Sequence, residues 1–301
     1  MTTSPSGPAN GVGDFRADMS LAEALALLTR RLGEAGIDTP KRDARFLLQG
    51  ILGIDGAQML SRSAHPLGVA AQRVSEAARR RAGHEPVSRI LGYRAFYGRE
   101  FIVTPDVLDP RPDTEAAIDL ALEIIKSRGL SDRALSIADV GTGSGILIVT
   151  LLAELPNARG VATDISPAAL DVARRNAAAL GVADRIRFVA TTGLDGCREP
   201  FDLVISNPPY ISSEEIADLE RDVKDFDPIL ALDGGADGLR VYREIARNIV
   251  ELQRSLLVVL EVGSTQADAV EGIFSNSGGQ PIGRRRDLGG HIRVVALEIH
   301  L

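Results

Sequence analysis

From about residue 113 onward, short apolar runs alternate with stretches of helical periodicity, and this alternation most narrows what the chain can fold into. Strands are expected at Leu135–Val140, Gly160–Asp164, Ile186–Ala190, Leu203–Ser206, Leu256–Glu261 and His291–Glu298. Helices between them complete the βαβ rhythm of a parallel sheet. The clearest is Pro167–Leu180, with Ser166 as its cap and proline at its first position. Ligands of such sheets bind beyond the carboxyl ends of the strands, and three marked sequences fall at such ends.

The region before residue 113 has a different rhythm. Ser20 and Glu23 form a capping box, and Leu21, Leu25, Leu28 and Leu32 recur on one helical face. Thr39-Pro40 opens a second helix that stops at Gly53, and a third runs from about Val69 to Ala82 before Gly83. "YRAFYGREFIVTPDVL" then alternates apolar and polar residues around Gly98, which predicts a β-hairpin connector. The expected division is a disordered lead-in over residues 1–18, a helical domain over 19–88, a hairpin linker over 89–110 and a larger α/β domain over 111–301.

Composition excludes several classes. Net charge is −7, which weakens any reading that needs extensive phosphate contact, so no stable nucleic-acid binding is expected. Arg79-Arg80-Arg81 is expected to be a solvated helix face. No apolar run is long enough to cross a bilayer, and the N-terminus lacks the basic start and apolar stretch of a secretion signal. A single cysteine, Cys197, fits a reducing cytoplasm. His65, His84, His291 and His300 show no metal-ligand spacing, so no metal is expected.

The first marked sequence is "IADVGTGSGILIVTLL", in which Gly141, Thr142, Gly143, Ser144 and Gly145 form a tight loop between a strand and a helix. Glycines there allow unusual backbone angles and let a ligand approach closely. The spacing is G-x-G-x-G rather than the G-x-G-x-x-G of dinucleotide folds. Asp164, a little over 20 residues further on, stands where an acidic residue grips ribose hydroxyls, although it could equally serve the following helix. Together they favour an adenosine-containing cofactor.

The third is "VISNPPYIS". Prolines cannot donate to a sheet ladder, so the strand ends at Asn207 and the next residues hang over the cofactor loop. The Asn207 side-chain oxygen and the Pro208 carbonyl offer two acceptors, Pro208 and Pro209 stiffen the loop, and Tyr210 offers an aromatic surface. Two acceptors holding the hydrogens of an –NH2 leave its lone pair facing whatever lies beyond.

These residues together resemble those of class I S-adenosylmethionine-dependent amino-methyltransferases, whose domain is a Rossmann-like, mostly parallel seven-stranded sheet. "EPVSRILGYRAFYGREF", "LDPRPDTE", "DFDPILALDGGADGLRVYREI", "LEVG" and "RDLGGHIRVV" narrow the resemblance to the peptide chain release factor glutamine methyltransferases, from about residue 20 to the end. That resemblance implies methylation of the amide nitrogen of the glutamine in the Gly-Gly-Gln loop of class 1 release factors, which a helical N-terminal domain helps to grip. It also implies that Gly141–Gly145 line the methionine part of S-adenosylmethionine, that Asp164 holds its ribose, and that Asn207, Pro208, Pro209 and Tyr210 hold the glutamine. Two alternatives use the same four residues: a nucleic-acid amino-methyltransferase, and a glutamine methyltransferase of a ribosomal protein. A third reading is a non-catalytic binding protein.

Two places depart from the family pattern, and two residues of the matching segment keep two readings. After the third strand the chain reads Ala190-Thr-Thr-Gly-Leu194, so Thr192 stands for the usual acid and Gly193 for a bulky residue beside the adenine. Asp109 replaces an aliphatic residue. Arg111 and Glu115 read equally as supports of the pocket or as a structural ion pair at a helix start. Gly278-Gly279-Gln280, a Gly-Gly-Gln of the chain's own, reads as a turn before the sixth strand.

Overall fold

The computed structural model describes residues 15–287 and 289–300, so most of the lead-in expected over residues 1–18 lies outside the described residues. The chain divides into two compact units, Met1–Leu91 and Gly92–Leu301.

The first unit is helical: α1 (Leu21–Glu34), α2 (Pro40–Leu52), α3 (Gly56–Ser61), α4 (Ala71–Ala82) and α5 (Val87–Leu91). The capping box at α1 is formed, with Ser20 N donating to Glu23 Oε2 at 2.8 Å and Glu23 N to Ser20 Oγ at 3.3 Å. Gly53 ends α2 at φ 64°, a left-handed conformation that glycine adopts without penalty. Phe15, Leu28, Leu32, Leu47, Leu48 and Val74 meet in its core. The arginine run departs from expectation. Arg81 is buried with its Nε 2.8 Å from Asp43 Oδ2, Arg80 pairs with Glu85, and Arg79 with Glu76. Arg81 is thus a buried tie between α4 and α2, Arg80 is half-buried, and Arg79 stays on the solvated face with Glu76.

The second unit opens with the hairpin β1 (Tyr93–Phe96) and β2 (Arg99–Ile102). Tyr97 and Gly98 both have positive φ, 50° and 71°, as a two-residue turn between twisted strands requires. The strained Tyr97 is held by its N–H, which donates to Glu115 Oε1 at 2.7 Å, and by its hydroxyl, which donates to Asp119 at 2.9 Å. Glu115 is therefore a fastening for the hairpin.

Then follow α6 (Glu115–Ser127), β3 (Ser136–Val140), α7 (Ile146–Glu154), β4 (Arg159–Asp164), α8 (Pro167–Ala179), β5 (Ile186–Ala190), β6 (Leu203–Ser206), α9 (Arg221–Lys224), α10 (Ile229–Leu232), α11 (Arg240–Leu252), β7 (Leu256–Glu261), α12 (Ala267–Ser275), β8 (Gly279–Arg286) and β9 (Ile292–Ile299). The sheet has seven strands in the order β5-β4-β3-β6-β7-β9-β8, parallel except where β9 runs against both neighbours. The expected α/β architecture, with its helical bundle and hairpin, is the one observed. Along β3, Ile137 joins the core under α6 and α7, while Ala138 and Val140 join the core under α11 and α12. Both faces are covered, which is why the strands are apolar throughout.

One strand escaped the sequence reading. Gly278 makes the turn at φ 82°, but Gly279 and Gln280 already belong to β8. Pro281 and Gly283 disguise this strand, and both are tolerated because it is an edge with register irregularities. Among the described residues, no helix is long and apolar enough to cross a membrane.

Candidate active site

The order of strands reverses between β3 and β6, and their carboxyl ends lie side by side. The Ser206 hydroxyl donates to the Val140 carbonyl at 2.6 Å and ties them together. The glycine loop therefore begins beside Asn207.

The loop is built around positive φ at Gly141 (68°), Gly143 (55°) and Gly145 (83°). Thr142 N donates to the Thr163 carbonyl at 2.8 Å, Thr142 Oγ1 to Asp139 Oδ2 at 2.6 Å, and Gly143 N to Asp164 Oδ2 at 2.9 Å. A Cβ at Gly141 or Gly143 would meet no atom of the described residues within 4 Å, so both face open space. Gly145 differs: a Cβ there would come 3.2 Å from Ala173 Cβ, and this residue caps α7 rather than lining the cavity. Its role is close packing of α7 against α8.

The cavity in front of this loop measures about 190 Å³. Its walls include Gly141, Thr142, Gly143, Ser144, Asp164, Gly193, Asn207 and Pro209. Asp164 accepts from Ser166 N at 2.9 Å as well as from Gly143, and burial raises its pKa. A carboxylate has about four lone-pair sites, so it keeps acceptors for hydroxyl groups in the cavity. Open glycines, backbone N–H groups and this carboxylate suit a ligand with ribose hydroxyls and an amino-acid end.

A second cavity lies on the other side of Asn207. Its walls include Pro208, Tyr210, Asp113, Glu261 and Arg293. Asn207, Leu108, Arg111 and Ala231 line both cavities, so Asn207 stands where they meet. Among the described residues, no hydrogen bond is made to the Pro208 carbonyl. Tyr210 is mostly buried, which raises the pKa of its phenol, and its carbonyl accepts from Gln266 Nε2 at 2.9 Å. The Asn-Pro-Pro-Tyr segment rests on residues 232–238. A Cβ at Gly234 would stand 2.7 Å from the Pro209 carbonyl, and one at Gly238 would stand 2.2 Å from that of Tyr210. Both glycines are there because backbone approaches backbone.

The two departures and Arg111 acquire physical reasons. A Cβ at Gly193 would stand 2.1 Å from Asn248 Oδ1, which accepts from Leu194 N at 2.9 Å. Asn248 of α11 thus occupies the space of a larger residue and pins the loop after β5. Asp109 is buried, with Arg94 of β1 3.5 Å from Oδ2. Arg111 donates to Asp227 Oδ2 at 2.7 Å, and Asp227 Oδ1 accepts from Asp109 N at 3.1 Å. Arg111 is both a wall of the cavities and half of an ion pair.

Two carboxylates missed in the sequence are buried here. Asp139, at the end of β3, has its pKa pushed up to about 7 by burial, against hydrogen bonds from Thr142 and from Ile148 N. Glu261, at the end of β7, is likewise pushed up to about 7 by burial, against hydrogen bonding from Thr114 and Asn207. Nothing in local sequence marks either as buried, since Asp139 reads as the next-to-last residue of an apolar strand and Glu261 as the last.

Known proteins resemble the chain along its length. Residues 23–92 match the family described as PrmC N-terminal domain, and residues 114–222 the family described as Methyltransferase small domain. A Cereibacter sphaeroides protein named release factor glutamine methyltransferase is 43% identical over 283 residues, covering 93% of this chain and 99% of that one. A Rhodospirillum rubrum protein of the same name is 41% identical over 294 residues, covering 96% and 89%. Among solved structures, the hMettl16 catalytic domain in complex with a 3′UTR hairpin has a TM-score of 0.53 at 16% identity, covering 77% of this chain and 81% of that chain. At that identity the likeness is one of fold.

Asp139 sets a pH dependence of stability. Its folded pKa, about 7, lies above the ordinary aspartate value of 3.8, so the native state holds the proton more tightly across that interval. Its favourable contribution is complete at low pH and is lost as pH rises through the folded value. The melting temperature of Asp139→Asn, measured against the parent protein, is expected to shift in the variant's favour between about pH 5 and pH 8. A difference that stays constant over that range would refute the assignment.

Proposed function

The chain belongs to the release factor glutamine methyltransferases, and on that premise we propose that it transfers a methyl group from S-adenosylmethionine to the side-chain amide nitrogen of the glutamine in the Gly-Gly-Gln loop of class 1 peptide chain release factors. The observation that carries the reading is the position of Asn207 at the junction of two cavities, one walled by the glycine loop and Asp164, the other by Pro208 and Tyr210. The first is assigned to the cofactor and the second to the glutamine.

In this reading Gly141, Thr142, Gly143 and Ser144 hold the methionine portion of the cofactor and Asp164 its ribose, while Gly193 lines the cavity beside the adenine. When bound, the cofactor supplies an electrophilic methyl group. The protein's task is to present a poor nucleophile correctly. An amide lone pair is delocalised into the carbonyl, with a rotation barrier of about 18–20 kcal/mol. Asn207 Oδ1 and the Pro208 carbonyl accept the two hydrogens of the substrate –NH2, orienting the lone pair toward the first cavity. These bonds strengthen as positive charge develops on nitrogen, which makes them more favourable in the transition state than in the ground state. Tyr210 and Pro209 close the sides of the glutamine channel and exclude water. The proton leaves after transfer, when the nitrogen has become acidic.

The helical unit, Met1–Leu91, is assigned to gripping the release factor, because a glutamine side chain alone offers too little surface for secure positioning. With one cysteine and this substrate, the enzyme is assigned to the cytoplasm.

Four outcomes are expected. Gly143→Leu forces a bulky residue into left-handed backbone and into the cavity, so calorimetry should detect no S-adenosylmethionine binding; parental affinity would remove this loop from the site. Asn207→Ala should lower the methylation rate by about 10²–10³. Radiolabel from the cofactor should mark wild-type release factor and not one whose loop glutamine is alanine; label on that variant, or on duplex DNA in its place, overturns the reading. A variant beginning at Gly92 should bind cofactor yet methylate intact release factor poorly, and a full rate would dismiss the docking role.

A further inference from the structure

Asn207 and Glu261 each follow the last paired residues of adjacent parallel strands, Ser206 and Leu260, so the fold sets them beside one another. Glu261 is only 3% exposed, and its Oε2 is a buried atom without a hydrogen-bond partner among the described residues. It lines the cavity that holds Pro208 and Tyr210. Thr114, fully buried at the start of α6, completes the group: Asn207 Nδ2 donates to Thr114 Oγ1 at 3.3 Å.

An asparagine amide has two opposite ends, and only one orientation gives the substrate –NH2 an acceptor. A carboxylate accepts and cannot donate. An ionised Glu261 only accepts, so a Thr114 hydroxyl that gives its one proton to that carboxylate offers its lone pairs to Asn207 Nδ2. The amide is then fixed with Oδ1 turned toward the substrate. A protonated Glu261 can donate instead, and the preference for Nδ2 on that side is lost.

We propose that Glu261, through Thr114, is a positioning residue that sets the orientation of the Asn207 amide and makes methyl transfer depend on its own ionisation. This rests on the assignment of Asn207 as the acceptor for the glutamine amide. The groups facing Glu261 from neighbouring elements bear on that ionisation. Asp113 opposes it, and Arg293 of β9 favours it. The Tyr242 hydroxyl of α11 donates to the Glu261 backbone carbonyl at 2.8 Å, and Tyr210 and Arg111 line the same cavity.

The test measures methylation of intact release factor by the full-length enzyme, together with cofactor binding by calorimetry. Parental kcat/KM, which reports the free enzyme, is expected to rise with pH through about 7. A profile flat from about pH 5.5 to 8.5 overturns the proposal without any variant. Glu261→Gln should lower kcat about 10–100-fold at high pH, flatten that limb of the profile and leave cofactor affinity unchanged. A parental rate and profile in Glu261→Gln overturns it, as does a loss of cofactor binding equal to the loss of rate. Thr114→Val should fall similarly, and Thr114→Ser, which keeps the hydroxyl, should recover most of the loss; equal rates in the two overturn the relay. If Asn207→Ala is itself as active as the parent, the underlying assignment has failed; if that variant is inactive while Glu261→Gln is normal, only the present proposal has.

Discussion

From β3 the chain lays β4 and β5 on one side, then crosses back to lay β6 and β7 on the other. Adjacent strands whose connections depart in opposite directions leave the space beyond their carboxyl ends uncovered. Into that space the fold delivers the glycine loop from β3, Asp164 from β4, Asn207 from β6 and Glu261 from β7. Each residue stands at a strand end, so its position is fixed by a ladder of backbone hydrogen bonds rather than by a free loop. The hydroxyl of Ser206 on the Val140 carbonyl ties the two halves of the sheet together beside the start of the glycine loop and Asn207.

Burying carboxylates is expensive, and this site buries two whose pKa is pushed up to about 7. Asp139 holds the glycine loop from beneath, through Thr142 and the first turn of α7. The loop has three residues in a backbone conformation that favours glycine, and a buried acceptor is what keeps such a turn in one shape. Glu261 stands against Thr114 and Asn207, where its ionised form, which only accepts, favours donors on their facing side.

Around these two carboxylates, segments distant in sequence are clamped by single side chains. Asn176 of α8 accepts from Ile102 N at 2.7 Å and donates to the Ser144 carbonyl at 2.8 Å, joining the hairpin to the glycine loop. Arg111 and Asp227 join the segment before α6 to the segment before α10. Asn248 pins the loop after β5, and Gly234 and Gly238 let residues 232–238 lie against the Asn-Pro-Pro-Tyr carbonyls. The cavity walls are thus irregular backbone, each piece held by a buried polar contact whose loss leaves an unsatisfied group.

The local signals were legible in the sequence. Apolar runs of strand length separated by helical stretches declare a parallel sheet, because a strand covered on both faces must be apolar on both. A glycine loop after one strand and Asn-Pro-Pro-Tyr after another declare ligand contacts at strand ends. Ser20 with Glu23 and Gly53 mark helix ends, because capping depends on neighbours in the chain. The edge strand β8 was hidden, since its proline and arginines are acceptable only at an edge, and which strand lies at the edge is a property of the whole sheet. Gly145 read as a ligand-facing glycine, and only the packing of α7 on α8 makes it a spacer. Arg81 read as solvated until α2 brought Asp43 to it. Asp139 and Glu261 are ordinary strand-end acids in one dimension. Their burial, raised pKa and partners arise from residues such as Thr114, 147 positions from Glu261, which only the tertiary fold brings within reach.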